Sequence, residues 1–150
     1  MADDYGSRVG STLIDAKAVD ELRMPVQSDE HVVILRKHVR ERALQLRLSL
    51  VDQTKLVTAA SELARNTLKY GGGGEAILTT LERAEGQGVC LALRDQGPGI
   101  ANVDLALSDG FTSGGGLGLG LGGARRLVDA FDIVTAAGAG TMVTIVKWKR

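Results

Sequence analysis

The chain has 150 residues, of which 44% are hydrophobic and 24% charged, a balance typical of one soluble globular domain. A chain of this length buries enough apolar surface to fold without a disulfide or a structural metal. Its 18 basic residues equal its 18 acidic residues, so no overall positive field favours nucleic acid as a partner. The single cysteine, Cys90, excludes an intramolecular disulfide and a multi-cysteine zinc site and favours a reducing compartment.

The N-terminal segment carries no recognisable targeting signal. No basic stretch is followed by an apolar one, and no run of about 18 apolar residues occurs along the chain. We therefore expect a cytoplasmic protein that does not enter a membrane. Residues 1–20 lack a clear period and are expected to form a mobile tail, with at most a marginal strand, before a folded domain at 21–150.

The first predicted elements are an edge strand and a helix. Polar and apolar residues alternate over Glu21–Gln27, and Pro25 favours a position at the sheet edge. Ser28 is a predicted N-cap with acidic residues after it. Apolar positions then recur at helical spacing: Val32, Leu35, Val39, Ala43 and Leu46.

A second helix is expected to begin at Ser49 or Asp52 and to end near Tyr70, where the run Gly71–Gly74 stops it. Its polar residues fall within about 100° on a helical projection: Glu62, Arg65, Asn66 and Lys69. We expect Glu62 to be exposed there. The face toward the core is formed by Leu56, Ala60, Leu63 and Thr67.

The rest of the chain predicts two hairpins separated by a glycine-rich stretch and a third helix. Strands are predicted at Glu75–Arg83 and Gly88–Arg94, a helix from about Gly120 to Asp129, and strands at Phe131–Ala136 and Thr141–Lys149. This order predicts an α+β fold, with a helical layer on one face of a mixed, mostly antiparallel sheet.

The polar face of the second helix has two interpretations. A solvated face with weak ion pairs is the ordinary one. However, asparagine is unfavourable in mid-helix, and Glu62 and Asn66 stand one turn apart. A carboxylate and an amide oxygen in this arrangement are hard ligands of the kind that Mg²⁺ accepts.

Two further segments combine glycine with polar groups. Asp95 follows a predicted strand and precedes Gly97-Pro98-Gly99, which is either an ordinary turn or an acceptor at the rim of a pocket. The run from Phe111 to Gly123 offers free backbone N–H groups before a helix, an arrangement that suits phosphate. Its G-x-G-x-x-G match lacks a preceding strand and a later acid, so a dinucleotide fold is not indicated.

Taken together, these segments resemble the motifs of a known superfamily. Ser61–Asn66, Asp95–Ile100 and Gly116–Leu121 are similar in order and spacing to the N, G1 and G2 boxes of the GHKL ATPases, whose fold is the Bergerat ATP-binding sandwich. The first motif, together with Gly116–Leu121 and the basic stretch Arg126–Phe131 that follows it, resembles the short serine/threonine switch kinases of bacterial sigma-factor regulation, the RsbT type. The resemblance covers about residues 20–150.

The resemblance implies ATP and Mg²⁺ as cofactors and assigns a role to each motif residue. Glu62 is the implied general base and Asn66 the implied Mg²⁺ ligand, while Asp95 accepts a hydrogen bond from the adenine amino group. Arg65 and Lys69 would add positive charge near the phosphates. The remaining implied nucleotide-binding positions are the turn residues Gly97 and Gly99 and the phosphate lid Gly116, Leu117, Gly118, Leu119 and Gly120.

The resemblance also implies protein partners. The phosphoacceptor would be a STAS-domain antagonist, with a PP2C-type phosphatase or a sigma factor as a further partner. The alternative is an ATP-gated binding module with little turnover. A detached histidine-kinase domain is disfavoured, because no dimerisation helix pair precedes the motifs and neither His31 nor His38 is followed by a suitable proline.

The first helix is locally basic through Arg36, Lys37, Arg40, Arg42 and Arg47. It forms either a solvated face or a docking surface for an acidic partner.

Overall fold

The computed structural model describes residues 16–108 and 120–150. Five strands and four helices are found within these two ranges. In chain order they are β1 (Lys17–Val26), α1 (Asp29–Gln45), α2 (Leu50–Gly71), β2 (Gly74–Arg83), β3 (Gly86–Asp95), α3 (Val103–Ala106), α4 (Gly120–Arg126), β4 (Ala130–Thr135) and β5 (Thr141–Trp148).

The strands form one sheet in the order β1-β2-β3-β5-β4. The expected mixed sheet is wrong, because every pairing between the described strands is antiparallel. No parallel pair forms because of the positions that the last two strands take in the sheet after α4. Strand β4 forms the outer edge, and β5 turns back between β4 and β3, so the parallel strands β3 and β4 are never neighbours. The edge position of β1 is confirmed.

The main core lies between the helices and one face of the sheet. Helix α1 buries the four apolar positions Val32, Leu35, Val39 and Ala43, and α2 buries Leu56, Ala60, Leu63 and Thr67, as the helical spacing predicts. They pack on sheet residues that include Leu78, Leu91 and Ile145. The α+β fold with a helical layer on the sheet is confirmed.

The opposite face of the sheet holds a second, smaller buried cluster that includes Ile77, Cys90, Val146 and Trp148. The guanidinium of Arg83 lies 3.5 Å from the centre of the Trp148 ring, a cation–π contact. Burial raises the pKa of the Cys90 thiol to about 12. Cys90 therefore remains a neutral apolar side chain at physiological pH.

Helix boundaries follow the predicted capping residues. Ser28 caps α1, its Oγ accepting from the N–H of His31 at 3.3 Å. Of the two starts considered for α2, Ser49 is correct, because its Oγ accepts from the N–H of Asp52 at 3.1 Å. Helix α2 ends at Gly71, and Gly72 takes the left-handed conformation that favours glycine.

Other boundaries differ from the sequence prediction. Strand β1 begins at Lys17, so residues 17–20 belong to the sheet and not to the tail. A register shift between Val19 and Leu22, with Asp20 at φ 55°, breaks the alternation there. The short helix α3 was not predicted. Helix α4 ends at Arg126, earlier than expected, and the Asp129 carboxylate instead accepts from the Trp148 N–H at 2.7 Å.

A buried lysine links the helical layer to the sheet. Lys147 of β5 is 4% exposed, and its Nζ lies 3.5 Å from Asp52 Oδ1 and 3.4 Å from Asp129 Oδ1. Two carboxylates compensate the desolvation of the ammonium group. The interaction joins the N-terminal turn of α2 to the end of β5.

The turn between α1 and α2 places a non-glycine residue in the left-handed region. Arg47 has φ 61°, and the Leu48 N–H donates to the Ala43 carbonyl at 3.0 Å. This helix ending usually carries glycine at the left-handed position, since any Cβ is strained there.

We predict that Arg47→Gly raises the free energy of unfolding by about 0.5–1 kcal/mol. Relief of left-handed strain outweighs the added flexibility of glycine in the unfolded chain. Urea denaturation measures the change. Arg47→Ala is the matched control, because it removes the same side chain but keeps the strained Cβ. Equal stability of the glycine and alanine variants would contradict the prediction.

Candidate functional site

A cavity of about 790 Å³ opens between the C-terminal half of α2 and the end of β3. One wall is α2 from Glu62 to Tyr70, and the opposite wall is the turn after Asp95. Helix α3, the start of α4 and the first residues of β5 complete the lining. The cavity therefore lies where all three segments singled out in the sequence would meet.

The polar face of α2 lines the cavity with all four of its predicted residues: Glu62, Arg65, Asn66 and Lys69. Glu62 is only 7% exposed, so the expectation of an exposed side chain is wrong. Its Oε2 accepts from the N–H of Gly120 at 3.2 Å. Helix α4 packs over this turn of α2 and covers the carboxylate, a contact that helical spacing alone does not predict.

Asp95 forms a turn and also lies at the cavity. Its Oδ1 accepts from the N–H of Gly97 at 2.9 Å, an Asx-type turn. The residue also lines the cavity, at the end of α2 distant from Glu62. Gly99 follows with φ 81°, and a Cβ there would meet the Ala136 backbone.

The β4–β5 hairpin supports this turn from behind. The Ile100 N–H donates to Thr135 Oγ1 at 2.9 Å, and the Gly138 N–H donates to the Pro98 carbonyl at 2.9 Å. Thr141 pairs with Asp95 in the β3–β5 ladder and also lines the cavity. The sequence does not single out Thr141, because the register of two distant strands leaves no local signal.

Gly71 is a second residue whose role the sequence analysis missed. The sequence predicts Gly71 only as part of a helix stop. A Cβ at Gly71 would lie 2.6 Å from Asp95 Oδ2, and a Cβ at Gly97 would lie 2.7 Å from the Gly71 Cα. Only glycine at these two positions allows the end of α2 to pack against the Asp95 turn.

Gly120 is the one lid residue within the described ranges; it is the first residue of α4 and lines the cavity. Gly116, Leu117, Gly118 and Leu119 lie outside the described residues.

The two histidines have partners away from the cavity. His31 Nδ1 accepts from the Gln27 N–H at 2.9 Å, and His38 Nδ1 lies 3.6 Å from Glu41 Oε1. Neither lines the cavity.

The donor set fits a magnesium nucleotide. Within residues 16–108 and 120–150, no group of three or more His, Cys, Asp or Glu is arranged to hold a metal ion. A metal would need further oxygens from the ligand, as phosphates supply for Mg²⁺. Asn66 offers a hard amide oxygen, and Arg65 and Lys69 line the same wall.

None of the described helices is both long and apolar enough to cross a membrane.

Three comparisons agree with this geometry. Residues 51–150 match the family described as histidine kinase-, DNA gyrase B- and HSP90-like ATPase. The chain is 37% identical over 131 residues to the serine/threonine-protein kinase RsbT of Bacillus subtilis (strain 168), covering 87% of this chain and 98% of that protein. It also matches the crystal structure of the RsbU and RsbW domains of Rv1364c from Mycobacterium tuberculosis, with a TM-score of 0.60 and 20% identity.

The structural match covers 87% of this chain and 32% of the Mycobacterium chain, and at that identity it shows the fold alone. The family match spans all three motifs in full and most of the fold. The chain therefore belongs to the histidine kinase-, DNA gyrase B- and HSP90-like ATPase family, the GHKL superfamily, as an RsbT-like member.

We predict that Gly71→Ala displaces the Asp95 carboxylate and destabilises the fold by about 1–3 kcal/mol, as overpacking does. Amide exchange at Gly97 should accelerate, because the Asp95 Oδ1 acceptor moves away. Denaturant unfolding and hydrogen exchange measure the two effects.

Gly72→Asn is the matched control, since a Cβ at Gly72 meets no atom within 4 Å and asparagine tolerates a left-handed backbone. An unchanged rate of amide exchange at Gly97 in the Gly71→Ala variant would contradict the close packing of Gly71 against the Asp95 side chain.

Proposed function

We propose that the protein is a cytoplasmic, ATP-dependent serine/threonine kinase that phosphorylates a STAS-domain antagonist in a bacterial partner-switching pathway. One observation carries the proposal: Glu62 and Asn66, one turn apart on α2, line the same cavity as Asp95. Similarity to a protein named serine/threonine-protein kinase supports the choice of reaction.

The length of α2 divides the proposed site into two ends. Gly71 approaches Asp95, whereas Glu62 lies nine residues earlier in the helix, a separation of about 14 Å at 1.5 Å per residue. We assign adenine to the end that holds Asp95, with Gly97 and Gly99 shaping the turn. The phosphates then extend along α2 toward Asn66 and Glu62.

At the phosphate end, the side chains would act by charge and position. Asn66 is the proposed Mg²⁺ ligand, and the ion would neutralise phosphate charge. Arg65 and Lys69 add two cations on the same wall. We assign residues 116–120 to phosphate binding through their backbone N–H groups.

Glu62 is the proposed general base. A serine or threonine oxygen of the partner attacks the γ-phosphorus and forms a new P–O bond, while the P–O bond to the β-phosphate breaks and ADP leaves. The hydroxyl proton passes to the Glu62 carboxylate. Such transfers need little covalent assistance, so position and charge carry most of the catalysis.

A second candidate function has its own supporting observation. The Glu62 carboxylate accepts from the N–H of Gly120 at the start of α4, which gives it a structural role without catalysis. Under this alternative the protein is an ATP-gated module that binds a PP2C-type phosphatase or a sigma factor and turns over little ATP.

We predict that Glu62→Gln lowers phosphotransfer by about 10²–10⁴-fold while Mg-ATP affinity is kept. Glutamine retains an oxygen that can accept from Gly120 but cannot take the hydroxyl proton. Transfer from radiolabelled ATP to the cognate STAS-domain protein, with calorimetry in parallel, measures both properties.

Asn66→Ala is the contrasting variant, because loss of a metal ligand should weaken nucleotide binding as well as turnover. Phosphotransfer by Glu62→Gln at the wild-type rate would exclude Glu62 as base and favour the binding module.

We predict that Asp95→Asn weakens ATP binding by about 1.5–3 kcal/mol, the range for a hydrogen bond to a charged group. The amide oxygen can keep the bond to the Gly97 N–H, which places the NH₂ group where Oδ2 was. A donor then faces the adenine amino group. Calorimetry with ATP and GTP tests the assignment, and unchanged ATP affinity would remove Asp95 from the adenine site.

A further inference from the structure

The turn between α1 and α2 forms an exposed surface that the proposed kinase site does not use. We define it as the helical corner, formed by Arg40, Leu44, Arg47, Leu50 and Val51. Leu50 lies twelve residues before Glu62 in α2, so about 18 Å separates the corner from the proposed base. A protein bound there would leave the ATP cavity open.

Three of the eight large apolar side chains that are exposed among the described residues lie at this corner. Leu44 is 54% exposed, Leu50 71% and Val51 63%. Single exposed apolar residues are ordinary on protein surfaces. Three of them within eight residues, on either side of one turn, indicate an interaction surface when charged side chains surround them.

The charge around the corner is strongly positive. Residues 36–55 contain six basic and two acidic residues, a net charge of +4 in a chain that is neutral overall. Only one of the two acids, Glu41, is available to balance it at the surface. Asp52 is directed to the buried Lys147, and Glu41 faces His38.

The exposed cations of this region form no close ion pair with another described residue. Within the described ranges, no ion pair is formed by Arg36, Lys37, Arg40, Arg47 or Lys55. Arginine is enriched among the residues that dominate binding energy in protein interfaces, and the exposed leucines beside it add apolar area that a partner can cover.

The backbone at Arg47 is an independent observation. This position favours glycine, yet it holds an exposed arginine at φ 61°. Strained residues of this kind concentrate at functional sites, because a benefit elsewhere offsets their cost. An ion pair between Arg47 at the tip of the turn and a carboxylate of a partner would offset the cost of the strained backbone.

We infer that the helical corner docks a partner protein through an acidic surface whose carboxylates flank exposed apolar side chains. Charge complementarity selects the acidic partner, and the three apolar side chains favour a protein over a nucleic-acid backbone, which offers them no apolar contact. This surface lies beyond the kinase site and can be occupied while a phosphoacceptor is at the cavity.

The test uses the full ¹⁵N-labelled chain and a synthetic amphipathic helix of leucine and glutamate as the probe. Its matched control replaces every glutamate with glutamine. The acidic peptide should shift the backbone amides of residues 40–51, and affinity should fall about tenfold in high salt. Equal binding of the glutamine peptide, no binding at all, or shifts confined to the ATP cavity would overturn the inference.

Variants of the protein test whether the peptide binds at the helical corner. Arg40→Glu combined with Arg47→Glu should weaken peptide binding at least about tenfold, whereas Arg125→Glu, a single charge reversal on α4 to be compared with each single corner reversal, should leave it unchanged. Arg47→Gly should weaken binding about threefold while the fold is retained, because it removes one of several cations without straining the backbone. Wild-type affinity in the double variant would contradict the inference.

Other occupants give different results in the same experiment. Stronger binding to anionic phospholipid vesicles or to duplex DNA than to the acidic peptide would replace the protein partner with a membrane or nucleic acid. Concentration-dependent broadening at the corner without peptide would indicate a second copy of the chain. None of these measurements depends on ATP, so failure of the kinase proposal leaves this test intact.

Discussion

The close packing of the end of α2 on the turn after β3 is the constraint on which the site depends. Gly71 and Gly97 have no side chains, and a Cβ on either would overlap the other segment. Their contact brings Asp95 beside the last turn of α2. Because the helix is stiff, the positions of Asn66 and Glu62 relative to Asp95 then follow from the number of residues between them.

Helix α2 serves the core and the cavity at the same time. Leu63 and Thr67 are buried against the sheet and also line the cavity, while Asn66 lies on the wall between them. Glu62 is buried as well, and the Gly120 N–H partly satisfies its carboxylate. A buried carboxylate needs such donors. The contact links the proposed base directly to the first residue of α4, so changes at either position affect both.

The two ends of the helical layer have different chemistry. The C-terminal end of α2 meets a cavity with polar groups placed on opposite walls, as an extended nucleotide requires. The opposite end, at the α1–α2 turn, carries exposed leucines among arginines that form no ion pair with another described residue. A protein of this size can therefore offer one surface for phosphoryl transfer and another for docking.

The sequence by itself determined the elements and the motif residues that local chemistry specifies. Ser28 and Ser49 mark helix starts because capping depends on neighbouring residues, and helical spacing identified the α2 face that lines the cavity. Tertiary structure decided the rest. The insertion of β5 between β3 and β4 placed Thr141 opposite Asp95, and the packing of α4 buried Glu62. Gly71 acquired its role only through contact with Asp95. These features join residues far apart in the chain, and no local periodicity or propensity encodes which distant strands pair or which backbones touch.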